Sequence, residues 1–97
     1  LALAETARDH GLGFVIGCQV GETSILSAAG RHLAAFLDDH LLLEGSFGTF
    51  LLSEDIAAPG VQFGLGGLGP LLTGPGLGAS IVEERLERLA TFQETLR

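Results

Sequence analysis

Hydrophobic and polar positions follow one pattern up to about residue 44 and another beyond it. In the first part, two short unbroken apolar runs, Phe14-Val15-Ile16 and Leu41-Leu42-Leu43, flank a segment of helical spacing. Such runs predict strands covered on both faces, as in parallel sheets. The first strand is expected to continue through Gly17-Cys18-Gln19-Val20 and to stop at Gly21-Glu22. Thr23 or Ser24 then caps a helix with Ile25, Ala28, Ala29, His32, Leu33 and Phe36 on its apolar face. Gly30 in its middle costs ~1 kcal/mol relative to alanine, so it is expected to permit close packing on the sheet. Asp38-Asp39-His40 forms the exit. Strand, helix, loop and strand make a βαβ unit with parallel strands. Ahead of it, Leu3, Ala4 and Ala7 repeat at helical spacing within Leu1–His10, and Gly11 stands where a helix C′ residue belongs.

The second part is richer in turn residues. Ser46–Ile56 fits a short strand or a helical turn, Ala58-Pro59-Gly60 a type II turn, and Val61-Gln62-Phe63 a short strand. Gly64–Gly78 contains seven glycines and two prolines and reads as irregular. Ser80-x-x-Glu83 reads as a capping box. It would launch a helix with Val82, Leu86, Leu89 and Leu96 on one face and Glu83, Glu84, Arg85, Glu87 and Arg88 on the other.

Composition changes this picture in two ways. The 97 residues suffice for one small domain, yet 46% are hydrophobic, which reads as core with too little surface to cover it. Two parallel strands do not stand alone. The chain has no methionine, and Leu1 begins inside a helical pattern. The expectation is therefore a C-terminal piece of a longer protein, with the remaining strands supplied by sequence upstream or by another chain. A net charge of −7 with no lysine argues against a nucleic-acid partner. No apolar run reaches the ~18 residues of a membrane span. LALAETARDHG is not the pattern of a secretory signal, and a single cysteine fits a reducing compartment, so a cytoplasmic location is expected.

The candidate chemistry lies at the ends of the two strands. Both end in a glutamate, Glu22 and Glu44, and α/β proteins place their sites outside the carboxyl ends of strands. Neighbouring strands lie about 4.8 Å apart, so the two carboxylates can share a pocket if the strands pair. Each could equally be a solvated loop acid, with Glu22 stabilised near a helix N-terminus. Other motifs carry less. Gly64–Gly69 matches G-x-G-x-x-G, but Pro70 follows where a dinucleotide site needs a helix. His10, His32, His40 and Cys18 have no metal-ligand spacing. His32 reads as a hydrogen-bonded boundary residue and Cys18 as a buried, inert thiol.

Taken together, GCQVGETSILSAAGRHLA, LLLEGSFG and LTGPGLGASIVEERLERL resemble the C-terminal end of the enolase superfamily, within the mandelate racemase/muconate lactonizing enzyme group. The resemblance spans about Leu12 to Leu89. It implies the α/β fold of that group, here the C-terminal βαβ portion of a modified (β/α)8 TIM-like barrel. Residues 1–56 would be the end of helix 6, strand 7, helix 7 and strand 8. Residues 57–97 would be an extension that returns to the capping domain.

It also implies Mg²⁺-assisted proton abstraction α to a carboxylate, with a small carboxylate substrate and a homo-oligomeric enzyme. The Mg²⁺ ligands and the lysine bases of the family belong to earlier strands and would lie upstream. Carried onto this sequence, Glu22 is the site residue that orients substrate or assists proton transfer, and Gln19 and Glu44 are substrate contacts. The seventh strand has no histidine and the eighth has Leu42-Leu43-Glu44 in place of D-x-D, which leaves a muconate cycloisomerase-like isomerase or lyase. The 97 residues alone would be inactive. The alternative from another class is a stand-alone small acidic binding or structural domain.

Overall fold

The computed structural model describes residues 1–91 and 94. It shows a small mixed α/β chain with helices and short strands. In order these are α1 (Ala2–Asp9), β1 (Val15–Ile16), α2 (Ser24–Phe36), β2 (Leu42–Leu43), α3 (Gly48–Leu51), β3 (Ala57–Ala58), a 3₁₀ turn (Leu65–Gly67), β4 (Ser80–Ile81) and α4 (Glu83–Leu89). No helix of the described residues is long and apolar enough to cross a membrane.

The expected βαβ unit is present. β1 and β2 pair in parallel with Val15 opposite Leu42 and Ile16 opposite Leu43. The ladder extends through Leu41 N–H to the Phe14 carbonyl (2.9 Å) and Glu44 N–H to the Ile16 carbonyl (3.0 Å). α1 ends as its glycine dictates. Gly11 takes φ +65°, and its N–H and that of Leu12 close on the Arg8 and Ala7 carbonyls, the paired bonds of a Schellman cap.

Burial corrects the two-face expectation for the strands. Strand side chains alternate between faces, and the register puts Ile16 and Leu43 on one face and Val15 and Leu42 on the other. Ile16 packs into a small core with Ala4, Ala34 and Leu37, against which Phe14 and Leu43 lean. Val15 and Leu42 stay 50% and 56% exposed. α1 and α2 both contribute to the core on the Ile16 face, so an apolar run that reads as doubly covered is covered once.

The same geometry shifts the buried side of α2 to Ser24, Ser27, Ala28 and Ala34, leaving Phe36 outside. Leu3 of α1 is likewise exposed. A Cβ at Gly30 would meet nothing within 4 Å, so this glycine does not serve close packing on the sheet. The accessible surface is 7168 Å², against about 5,200 Å² for a compact monomer of this mass.

The tail is built differently from the pattern expected of it. The helical turn within Ser46–Ile56 is α3. Ser80 does not cap a helix; Ser80–Ile81 pairs antiparallel with Ala57–Ala58, and Val82 N–H continues to the Ile56 carbonyl at 2.8 Å. α4 therefore starts at Glu83, with Val82 as N-cap and no side-chain cap bond. Pairing with β3 takes the backbone that the capping box required. Gly60 lacks the positive φ of a type II turn, and the Ala58–Pro59 peptide is cis. Val61 to Phe63 keeps the buried–exposed–half-buried alternation of a strand without a pairing partner. Leu96, expected on the apolar face of α4, lies outside the described residues.

One cluster ties the tail to the βαβ unit. The helix α2 has Thr23 as N-cap, but Thr23 makes no side-chain cap bond. Its first N–H groups are met from 31 residues away, where Asp55 Oδ2 accepts from Ser24 N–H (2.9 Å) and from Ser24 Oγ–H (2.5 Å). Ser24 Oγ in turn accepts from Val61 N–H at 2.7 Å, and Asp55 Oδ1 accepts from Ala57 N–H at 2.9 Å. Ser24 is only 2% exposed. A carboxylate at this position also meets the partial positive charge of the helix N-terminus.

Candidate functional site

Parallel pairing brings the carboxyl ends of β1 and β2 side by side. Beyond Ile16 the chain leaves the ladder and turns at Val20-Gly21, where Gly21 has φ +79°. Cys18 and Gln19, expected within the strand, are therefore in the loop that follows it. Their backbone N–H groups point to the two glutamates. Cys18 N–H donates to Glu44 Oε2 at 3.2 Å, and Gln19 N–H donates to Glu22 Oε1 at 2.5 Å. Both carboxylates are thus oriented by the same loop.

The chain after β2 fixes that loop from the other side. Ser46 is buried, its Oγ accepts from Gly48 N–H at 3.0 Å, and it donates a long bond of 3.5 Å to the Glu22 carbonyl. A Cβ on Gly48 would stand 1.9 Å from the same carbonyl oxygen. Only glycine lets α3 begin where it does.

Glu22 and Glu44 line one cavity with Cys18, Gly30, Arg31 and Phe63 among its walls. Its volume, about 20 Å³, is room for a single water. Gly30 borders this space, and Gln19 contributes its backbone rather than a wall. Burial and the charges of Glu22 and Glu44 push the Cys18 thiol up from its ordinary value. It stays a protonated thiol at neutral pH, in keeping with an inert role.

Arg31, Phe63, Ser46 and Gly48 carry no sequence signal that marks them for this place. The Arg31 guanidinium lies 6.0 Å from the Phe63 ring centroid and donates to the Gly69 carbonyl. Its Nε–H is buried without a hydrogen-bond partner among the described residues. The Phe63 ring is gripped on two sides, since a Cβ at Gly45 or Gly69 would come within 3.0 or 2.7 Å of it. The site therefore offers two oriented carboxylate acceptors, one arginine and an aromatic wall.

The remaining candidates are placed away from chemistry. His32 Nε2 bonds the Leu77 carbonyl at 3.1 Å, the boundary role expected of it. His10 and His40 bond the Thr6 and Leu37 carbonyls at 2.9 and 2.6 Å. Gly64–Gly69 folds into a 3₁₀ turn closed by Gly64 N–H to the Leu68 carbonyl (2.8 Å), and no helix begins there. Among the described residues no three His, Cys, Asp or Glu gather to hold a metal ion. Glu22 and Glu44 alone do not make the oxygen cage that Mg²⁺ requires, so these residues do not fit a magnesium site. No family model, curated protein or solved structure matches the chain.

Proposed function

We propose that these residues are the seventh- and eighth-strand part of an enolase-superfamily enzyme of the muconate lactonizing type, a cytoplasmic isomerase or lyase acting α to a carboxylate. The observation that carries this reading is the convergence of Glu22 and Glu44 on one cavity at the carboxyl ends of adjacent parallel strands. That is where (β/α)8 barrels hold their sites. The bare Val15 and Leu42 face and the short two-stranded sheet accord with a barrel segment that packs against further strands.

In this reading Glu22 faces the substrate and orients it or assists proton transfer. Its bond from Gln19 N–H leaves the second carboxylate oxygen for that task. Glu44 and the Gln19 loop contact the substrate beside it. The residues that would bind Mg²⁺ and the base that removes the α-proton lie beyond these 97 residues, and the piece alone is inactive.

The test is solvent-deuterium exchange. The natural gene product carrying these residues is incubated in D₂O with small carboxylates, with and without Mg²⁺, and the α-proton is followed by NMR. Mg²⁺-dependent loss of that signal is expected for at least one carboxylate. A gene product that exchanges none of a broad panel, or one that consists of this chain alone, would sink the proposal.

A further inference from the structure

Next to the two-glutamate cavity lies a second, larger one of about 250 Å³, bordered by Gly45, Ser46, Phe47, Phe50, Phe63 and Gly67. The two cavities share Ser46 and the Phe63 ring as a common wall. Phe47 and Phe50 are 60% and 71% exposed although both are large and apolar. Neither belongs to the small core, which is built from Ala4, Ile16, Ala34 and Leu37. Burying either ring is favourable, yet α3 presents both at the mouth of a cavity.

The third ring is held still. Phe63 is wedged between Gly45 and Gly69 with the Arg31 guanidinium over it. Gly67, at φ +72°, adds a wall of bare backbone.

We infer that this cavity is a binding site for an aryl group, one that extends a ligand whose polar end reaches Glu44 and Glu22. Size supports an aromatic ring, because a cavity of about 150 Å³ lined by apolar side chains already admits benzene. Chemistry supports it too, since aromatic rings pair edge to face with phenylalanine at centroid separations of about 4.5–7 Å. Covalent reach is short: Glu44, Gly45 and Ser46 are consecutive, so the polar and aryl ends of one small molecule span neighbouring walls. For the enzyme proposed above, the inference names the substrate class, a carboxylate with an aryl substituent, and to that extent it rests on that reading. The binding site itself does not.

The experiment uses benzyl alcohol as a neutral probe and needs no metal and no turnover. Saturation transfer from protein to the probe's ring protons is measured for the natural protein and for Phe47→Ala and Phe50→Ala. Leu65→Ala serves as a control, being 97% exposed and not part of the cavity wall. Because both phenylalanines are largely exposed, their removal leaves the fold intact, which a circular-dichroism melt verifies. The expected result is ring binding that weakens about fivefold in each Phe variant and is unchanged in the control. Absent ring binding, or equal binding by all four proteins, would overturn the inference. Ring binding in a protein that exchanges no α-proton would remove the enzyme proposal and leave the aryl site standing.

Discussion

In residues 1–52 the contacts that fix the chain are apolar, with Ile16 set against Ala4, Ala34 and Leu37. In residues 53–91 they are polar and reach far along the sequence. Asp55 bonds Ser24 across 31 positions, and Glu54 holds Arg88 at 2.8 Å and Arg85 at 3.3 Å. The first region is a sheet with one face covered and one bare. The second is an antiparallel pair with few buried apolar groups, anchored by one carboxylate at the N-terminus of α2. A hydrophobic pattern can announce the first kind of structure, because spacing carries the information. It cannot announce the second, where the deciding partners are set by the folded path.

The largest effect is expected where the two regions' loops touch backbone to backbone. Gly48→Ala puts a Cβ on the Glu22 carbonyl, and the rigid neighbour cannot yield. A loss of about 3 kcal/mol is expected in urea unfolding. A midpoint equal to that of the parent would show that α3 is free to shift.

Next comes the anchor. Asp55→Ala removes the acceptor of three bonds, from Ser24 N–H, Ser24 Oγ–H and Ala57 N–H. A cost of about 2–3 kcal/mol is expected, with early exchange of the β3 and β4 amides. If those amides keep their protection, the tail is held by something other than this carboxylate.

The bare sheet face gives a sharper contrast. Ile16→Ala is expected to cost about 2 kcal/mol, low in the range for such truncations because the core is small. Val15→Lys, one residue away on the open face, is expected to change stability by less than about 0.5 kcal/mol. Equal costs for the two would mean that both faces are covered in solution.

The smallest effect is on pH dependence. Hydrogen bonding and charge from Arg88, with the charge of Arg85, hold the Glu54 carboxyl below its ordinary 4.5, and Arg8 does the same for Asp39 below 3.8. A carboxyl whose folded pKa is lowered contributes stability above its unfolded value and loses it as pH falls through the folded value. Both pairs are open to solvent, so the contribution is slight. Glu54→Gln is expected to flatten the stability profile only below about pH 4.5. A change near neutrality would point to a different group.

Much of the fold's first half was legible. The run Phe14-Val15-Ile16, the helix before Asp38, the Leu41–Leu43 run and Gly11 at positive φ all follow from period and turn chemistry. Which face of β1 stays bare was not legible, because that depends on both helices packing on one side. The capping box at Ser80 failed for a related reason: its backbone was claimed by Ala57 and Ala58. Of the site, the glutamates could be found from their place at strand ends. Arg31, Ser46, Gly48 and Phe63 could not, since each acts through a contact with a loop distant in sequence.

The most direct test of the account is Glu22→Gln in the natural gene product, read by two numbers on the same sample. The account expects an unchanged melting temperature, because the carboxylate lies at a loop and supports no core, together with loss of at least about 99% of α-proton exchange. A variant that melts early but exchanges normally per folded molecule would make Glu22 a structural residue and contradict the site.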